Sequence, residues 1–177
     1  MMFNHNLVSK VFAPMAALLA SVTATDAPLP MATGFSSYCD PTSIGFYDSA
    51  QTQLTAMCSA AGGAGVLYES YLDLNLCFVN VKGSLYLRMN GGALHSCTCE
   101  MGDQITSCQF HCGITQAECS CHNGHGNIVN NPFDFNSYIG LADDGEGHVV
   151  LSCQDAGTIA VGTFTRCVDL GDTVDCP

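Results

Sequence analysis

Two short stretches of the sequence contain residue types that bind metal ions. The first, "CSCHNGHG" from Cys119 to Gly126, combines thiols with imidazoles, which are usual ligands of zinc. The second, "DDGEG" from Asp143 to Gly147, offers carboxylates of the kind that bind calcium. The first lacks a CxxC pair matched by an HxxxH pair, and the second lacks the ligand spacing of an EF-hand. We therefore interpret them as disulfide cysteines before a glycine-rich loop and as a solvated hairpin turn, and we predict no metal site and no cofactor.

The chain also lacks the usual sequence signs of catalysis. It contains no GxSxG motif for a serine nucleophile. A cysteine nucleophile would need a free thiol, and the even number of cysteines, 12, argues against one. The 16 acidic residues are numerous enough for a glycosidase pair, but no two of them stand out by position. The sequence therefore predicts a protein that is not an enzyme.

The N-terminal segment and the cysteines predict a secreted protein. Lys10 precedes an apolar run from Val11 to Val22, which has the length of a signal-peptide core and is too short to span a bilayer. The small residues around Ala24 suit cleavage, so we expect a signal peptide over residues 1–24 and a flexible leader over 25–34. A dense, even set of cysteines after such a segment indicates disulfides formed in an oxidising compartment.

The net charge limits the classes of partner. It is −12, with four Lys and Arg residues in total. Such a surface repels nucleic-acid phosphates and anionic membranes, so we expect neither as a partner. Neutral ligands such as uncharged sugars remain compatible with this charge.

A repeated phrase shows how the elements must be organised. A shift of 61 residues aligns seven identical residues within 20 positions, including Asp73 with Asp134 and Asn75 with Asn136. Each copy, residues 35–87 and 94–153, reads as short strands separated by turns and is too short to bury a core alone. Because Asp and Asn side chains cap single helical turns, we interpret these pairs as structural caps of 3-10 turns near residues 74–78 and 135–139.

The motifs of the first copy follow the order Phe-Ser-x-x-Cys, Leu-x-Ala-x-Cys, a glycine-rich stretch, Leu-Asp-Leu-Asn and Asn-x-x-Gly-x-Leu, and the second copy repeats this order only in part. The first copy carries this order on Phe35, Ser36, Cys39, Leu54, Ala56, Cys58, Gly63, Leu72, Asp73, Leu74, Asn75, Asn80, Gly83 and Leu85. The second carries a degraded version on Cys97, Ala117, Cys119 or Cys121, Gly124, Phe133, Asp134, Phe135, Asn136, Ile139 and Gly147. This tandem order resembles the cyanovirin-N homology domain, in the cysteine-rich style of its secreted fungal members.

The resemblance implies a mostly β, disulfide-rich fold over residues 35–153, in which two pseudo-symmetric repeats exchange strands. It implies a secreted, non-catalytic lectin for mannose-containing oligosaccharides or cell-wall polysaccharide, as a monomer or a domain-swapped dimer. The cysteine-containing acidic tail, residues 154–177, lies outside the resemblance. The alternative is a secreted structural or effector protein that keeps the scaffold without binding sugar.

The resemblance also places sugar-binding residues at the edges of each copy, where hydroxyl, amide and carboxylate groups can hold sugar hydroxyls. The preferred site consists of Asn80, Lys82, His95, Ser96, His122 and Asn123. The less favoured site consists of Ser37, Tyr38, Ser59, Asp143 and Asp144. It is less favoured because the second copy has Leu141 where the first has Asn80, and because its turn is longer.

Part of the disulfide pattern can also be predicted. The resemblance implies a Cys39–Cys58 bridge in the first copy. In the second copy it implies a bridge between an earlier and a later cysteine, Cys97 or Cys99 with Cys119 or Cys121. We expect the tail to be closed by a bridge between Cys167 and Cys176. The sequence leaves open the partners of four others, Cys77, Cys108, Cys112 and Cys153.

Overall fold

The structure is a computed structural model that describes residues 29–60, 66–102 and 113–169. The predicted signal peptide and three of the cysteines, Cys108, Cys112 and Cys176, lie outside these ranges. The described residues are mostly β-structure, with short 3-10 turns and no α-helix. None of their helical segments is long and apolar enough to cross a membrane.

Twelve β-strands lie in the described part of the chain. They are β1 (Gly45–Phe46), β2 (Gln53–Cys58), β3 (Val66–Asp73), β4 (Phe78–Val81), β5 (Ser84–Leu87), β6 (Cys97–Met101), β7 (Gln116–His122), β8 (Ile128–Asp134), β9 (Ile139–Asp143), β10 (Val149–Asp155), β11 (Thr158–Val161) and β12 (Thr163–Asp169). The 3-10 helices of the same ranges are Phe35–Tyr38, Pro41–Ser43, Leu74–Leu76, Ala93–His95 and Phe135–Ser137.

The first unit, as we name it, consists of two antiparallel sheets. One has the strand order β1-β2-β3-β12 and the other has the order β11-β10-β9. Buried residues alternate with half-buried ones along β2, which is typical of a strand with one face on a core. Strand β10 packs on β2 and β3, so the second sheet covers the inner face of the first.

The second unit consists of the sheet β6-β7-β8 and the hairpin β4–β5. Strand β7 alternates strictly between buried residues and more exposed ones. Strand β5 packs on β7 and β8, so the hairpin covers the inner face of this sheet. Hairpin β4–β5 therefore follows β3 in the chain but covers the sheet of the second unit, whereas hairpin β9–β10 follows β8 but covers the sheet of the first.

The repeated Asp residues cap the turns that precede these hairpins. Asp73 accepts a hydrogen bond from the backbone N–H of Asn75 at 2.9 Å, at the start of the 3-10 helix Leu74–Leu76. Asp134 accepts one from the N–H of Asn136 at 3.0 Å, at the start of the helix Phe135–Ser137. Both turns lie where the sequence predicts them, and the capping interpretation is confirmed.

The repeated Asn residues tie the two units to each other. Asn75 Oδ1 accepts a hydrogen bond from Leu94 N at 2.9 Å, in the 3-10 helix that precedes β6. Asn136 Oδ1 accepts one from Ser36 N at 3.0 Å, in the 3-10 helix that precedes β1. Each Asn thus holds the opening turn of the other copy. Such bonds, made through a fixed side chain to an otherwise unpaired N–H, contribute about 1 kcal/mol each.

The two repeated phrases also meet in a single hydrophobic core. Phe78, which follows the first phrase, is fully buried and lies edge-on to Phe133, with ring centroids 5.0 Å apart. Its centroid lies 6.2 Å from that of Phe135 in the second phrase. Phe133 in turn stacks on Tyr138 at 4.6 Å. Aromatic packing of this kind stabilises the contact beyond the area that it buries.

Four complete disulfides lie within the described residues. Cys39–Cys58 joins directly opposed residues in the first unit, as predicted. Two bridges join directly opposed residues of β6 and β7, and they resolve the predicted alternatives as Cys97–Cys121 and Cys99–Cys119. The fourth, Cys77–Cys153, connects the start of hairpin β4–β5 to β10. Cys167 is also disulfide-bonded, but its predicted partner, Cys176, lies outside the described ranges.

The β-structure continues on both sides of the region covered by the resemblance. Before it, Met31 N donates to Leu141 O at 2.6 Å and Leu141 N donates to Met31 O at 3.1 Å, so residues of the expected leader pair with β9. After it, β11 pairs with β10 and β12 pairs with β3. Segments from before and after the region of the resemblance therefore pair with strands of the first unit.

Candidate functional site

Three of the predicted site residues converge where hairpin β4–β5 meets the second sheet. The side-chain amide of Asn80, on β4, donates to Ser96 Oγ at 2.8 Å and to the backbone oxygen of His122 at 2.8 Å. His122 N donates to Ser96 O at 2.9 Å. Since these residues come from β4, the segment before β6 and the end of β7, the fold joins three separate chain segments at one point. We call this cluster the Asn80 site.

The hairpin turn beside the Asn80 site contains two successive residues with positive φ angles. Lys82 has φ 54° and Gly83 has φ 92°, which is the pattern of a two-residue type I′ turn. Asn80 Oδ1 accepts from Gly83 N at 2.8 Å and fixes the turn from inside. Gly83 is buried, and a Cβ atom there would lie 2.6 Å from Val129 Cγ2. The glycine is therefore required both by its φ angle and by the close approach of β8.

The remaining predicted residues surround this cluster at the surface. The side chains of Lys82, His95 and His122 are exposed, and that of Asn123 is half-buried. Asn123 Oδ1 accepts from His125 N at 2.8 Å and thereby shapes the glycine-rich loop between β7 and β8. The loop also brings Asn123 against the turn, because a Cβ atom at Gly83 would lie 3.1 Å from its Cβ atom.

Sequence reasoning missed Asn131, which fastens the hairpin to β8. Its Nδ2 donates to Gly83 O at 2.8 Å, to Cys119 O at 3.1 Å and to Val129 O at 3.1 Å, while its Oδ1 accepts from Leu85 N at 3.3 Å. A signal was present, because a polar Asn stands between Val129 and Phe133 in the alternating series that faces the hairpin. Such a residue predicts a buried polar link.

The Asn80 site can act chemically as a polar recognition surface. The Asn80 amide uses both of its hydrogens within the protein, and its oxygen keeps a second lone pair for a ligand. The exposed imidazoles of His95 and His122 offer both donors and acceptors, and Lys82 offers donors. The site thus combines a hydrogen-bonded base with exposed polar side chains at its rim. Groups of this kind suit a neutral ligand that carries several hydroxyls.

The less favoured predicted site has a different arrangement in the first unit. Ser59 N donates to Tyr38 O at 2.9 Å, so these two residues lie together, while the side chain of Ser37 is exposed. Asp143 Oδ1 accepts from Gly145 N at 2.6 Å, which commits that oxygen to its own turn. The carboxylate of Asp144 likewise bonds within the turn.

Hydrogen bonds hold Asp144 in its ionised form. Burial raises the pKa of its carboxyl group, but the bonds from the His148 side chain and from the backbone N–H groups of Glu146 and His148 outweigh it. The pKa therefore lies below the ordinary value of 3.8. At neutral pH this turn presents a fixed negative charge where the Asn80 site presents an uncharged amide.

The position that corresponds to Asn80 on the other hairpin is occupied by an apolar residue. Leu141 lies at the same place in β9 as Asn80 in β4, and its side chain is fully buried. Its backbone N–H and C=O pair with Met31. The first unit therefore lacks the amide that links the three segments of the Asn80 site.

The chain matches no protein-family model and no curated protein.

Proposed function

We propose that this protein is a secreted, non-catalytic lectin of the cyanovirin-N type that binds mannose-containing oligosaccharides at the Asn80 site. The observation that carries the proposal is the convergence of Asn80, Ser96 and His122 from three chain segments. A site built in this way holds its polar groups in place before a ligand arrives, which reduces the ordering cost of binding.

Several features of the fold support the family assignment within this proposal. Each hairpin packs on the sheet from the other part of the sequence. The Asp-x-Asn phrases make equivalent caps and equivalent cross-links in the two units. The disulfides support export, because bridges of this density persist in oxidising compartments.

The charge and chemistry of the site support a neutral sugar as ligand. The net charge of −12 disfavours anionic ligands over most of the surface. Sugar hydroxyls both donate and accept hydrogen bonds, and the amide, hydroxyl and imidazole groups of the site can serve both roles. Each hydrogen bond contributes about 0.5–1.5 kcal/mol net, so a few of them give weak affinity for a single sugar ring. We therefore expect an oligosaccharide to bind better than a monosaccharide.

Calorimetric titration with mannose oligosaccharides, with galactose oligosaccharides as the comparison, tests the proposal. His122→Ala is the informative variant, because the ring is exposed and its removal leaves the backbone link to Asn80 in place. We expect about tenfold weaker mannose binding, which corresponds to one hydrogen bond. Ser49→Ala, a change at another exposed residue that belongs to neither predicted site, is the matched control and should leave affinity unchanged. Absence of binding at millimolar oligosaccharide would overturn the proposal.

A second candidate is a secreted structural or effector protein that keeps the scaffold without binding sugar. It is favoured by one observation, namely that both amide hydrogens of Asn80 are used inside the protein. In that case Asn80→Ala would lower the melting temperature without any change in glycan binding. The same titrations, run beside thermal unfolding of Asn80→Ala and His122→Ala, separate the two functions.

A further inference from the structure

The turn between β9 and β10 brings three potential metal ligands together. Asp144, Glu146 and His148 alternate along it, and each offers one donor atom that lies within 4.8 Å of the other two. Two of these donors, His148 Nδ1 and Asp144 Oδ2, are 2.7 Å apart. The set is a mixed one, because it joins two carboxylates to an imidazole.

The imidazole is held firmly although it belongs to a turn. His148 is 7% exposed, and its ring stacks on that of Phe164 with centroids 3.9 Å apart and an angle of 10° between the planes. Tyr68 packs at the side of the ring, at 5.8 Å. Strands β3 and β12 thus fix the ring in one orientation, with Nδ1 directed at Asp144. A ligand whose ring is already oriented loses little freedom when it binds a metal ion.

The two residues between the ligands are exposed glycines with open space beside them. Gly145 has φ 90° and Gly147 has φ 92°, and a Cβ atom built on either would meet no atom within 4 Å. The left-handed conformation at alternate positions turns the three ligand side chains toward one another. The space beside the glycines is open to solvent, so a bound ion could complete its coordination with water.

From this geometry we propose that Asp144, Glu146 and His148 bind a divalent transition-metal ion of the zinc type. Zinc accepts imidazole nitrogen and carboxylate oxygen at about 2.0–2.2 Å and is satisfied by three protein ligands plus water. Calcium is disfavoured, since it prefers six to eight oxygen ligands and an imidazole offers nitrogen. The two carboxylates neutralise the charge of the ion.

Binding requires a modest adjustment of the turn. Tetrahedral ligand atoms around zinc lie roughly 3.4 Å apart, as bond lengths near 2.1 Å dictate. Since the donor atoms lie within 4.8 Å of one another, the exposed side chain of Glu146 needs to close by at most about 1.4 Å, while Asp144 and His148, at 2.7 Å, must separate to admit the ion. The site is independent of the Asn80 site, which lies on the other hairpin, and the proposal does not rest on sugar binding.

The test uses the full chain without a polyhistidine tag, stripped of metal with a chelator. Titration with zinc chloride should give saturable one-to-one binding and a higher melting temperature, whereas calcium chloride should give neither. Glu146→Gln removes a ligand whose side chain is exposed, so the fold should be retained and zinc affinity should fall about tenfold. Asp143→Asn, a neighbouring carboxylate outside the set, is the matched control and should change affinity less than twofold.

A second measurement locates the ion without relying on stability. The ring proton resonances of His148 should shift on addition of zinc, and in Glu146→Gln the same shift should require about tenfold more zinc. Because His122 and His125 are exposed, they could also attract zinc, so the titration is repeated on His122→Ala. Absence of zinc binding would overturn the proposal. Binding that survives Glu146→Gln unchanged, or that is lost in His122→Ala, would overturn it as well.

Discussion

The two hairpins of this protein are supported alike but end differently. In the second unit Leu85 N donates to Asn131 Oδ1, and in the first unit Leu151 N donates to Ser70 Oγ at 3.0 Å. The backbone bond between each sheet and the segment before it is also alike. Ser59 N donates to Tyr38 O at 2.9 Å in the first unit, and His122 N donates to Ser96 O at 2.9 Å in the second. Beyond these supports the hairpins diverge into a two-residue turn and a five-residue turn.

This contrast separates the residues that hold the scaffold together from those that lie at the hairpin turns and differ between the units. The supporting bonds lie on the inner faces of the sheets, where an unpaired polar group costs about 1–3 kcal/mol. The differing groups, Asn80 and the Asp144 turn, lie at the tips, where substitution is cheaper and new chemistry can appear. The two units therefore offer the same framework to two different ligands, a neutral sugar in one proposal and a metal ion in the other.

The largest effect is expected from the disulfide that bridges the two parts of the sequence. Cys77 and Cys153 are 76 residues apart, whereas Cys99 and Cys119 are 20 apart within one pair of strands. Loop-closure entropy predicts that replacing the first pair by Ala costs about 4 kcal/mol and the second about 3 kcal/mol. Guanidinium unfolding of the two double variants measures the difference. An equal or larger loss in the Cys99/Cys119 variant would contradict this order.

A second comparison concerns the glycines of the two turns. Gly83 and Gly147 both have φ 92°, so Ala at either place suffers backbone strain of about 1–2 kcal/mol. Ala at Gly83 also collides with Val129, whereas Ala at Gly147 meets open space. We expect Gly83→Ala to cost about 3 kcal/mol in all and Gly147→Ala about 1 kcal/mol. Urea unfolding of both variants decides the point, and equal costs would show that β8 yields to the added methyl.

The supports of the two hairpins provide a third comparison. Asn131→Ala removes four hydrogen bonds and leaves Leu85 N–H without its acceptor. Ser70→Ala removes the acceptor of Leu151 N–H alone. Unpaired buried groups predict losses of about 2 kcal/mol for the first change and about 1 kcal/mol for the second. Hydrogen exchange of the two hairpins is the direct measurement. Each variant should expose its own hairpin and leave the other protected.

The smallest effect concerns the response of the first unit to acid. Burial raises the pKa of Asp48, but bonds from the Thr52 hydroxyl and from the N–H groups of Thr52 and Gln53 outweigh it, so the pKa lies below 3.8. Because folding lowers this pKa, Asp48 stabilises the protein at neutral pH, and the contribution is lost as the pH falls through the folded-state value.

Asp48→Asn should therefore lower stability at pH 7 by an amount on the order of 1 kcal/mol. It should also flatten the loss of stability as the pH falls below the pKa of the unfolded carboxyl, near 3.9, because Asn has no carboxyl group to titrate. Urea unfolding at a series of pH values measures both effects. Parallel pH curves for the variant and the parent protein would refute the assignment.

Local features of the sequence predicted local structure well. The caps at Asp73 and Asp134 and the two 3-10 turns follow from side-chain chemistry that acts within three residues. The Cys39–Cys58 bridge was implied by the family resemblance, and the structure contains it. Exchange of the hairpins was an expectation from the family resemblance; in the described residues β5 packs on β7 and β8, and β10 packs on β2 and β3.

Features that depend on distant partners were not predictable in the same way. The Cys77–Cys153 bridge exists because hairpin β4–β5 begins beside β10, and no local pattern reveals that proximity. Strand β12 pairs with β3, which lies about a hundred residues earlier in the chain. The sequence of the tail therefore did not indicate which strand it would pair with. The two hydrogen bonds of Met31 to Leu141 lie in a segment whose Pro, Thr and Gly content indicated a flexible leader.

The Cys77–Cys153 bridge also limits the order in which the disulfides can form while the chain is being synthesised. Cys39 and Cys58 are 19 residues apart and can meet soon after Cys58 is made. Cys77 must wait for a partner 76 residues later, which takes about 4–15 s at usual rates of synthesis. During that interval the chain gains other cysteines that are closer to Cys77 in sequence than Cys153 is. Closure of Cys97–Cys121 and Cys99–Cys119 during this interval would remove four of these competing thiols and so favour the correct partner of Cys77.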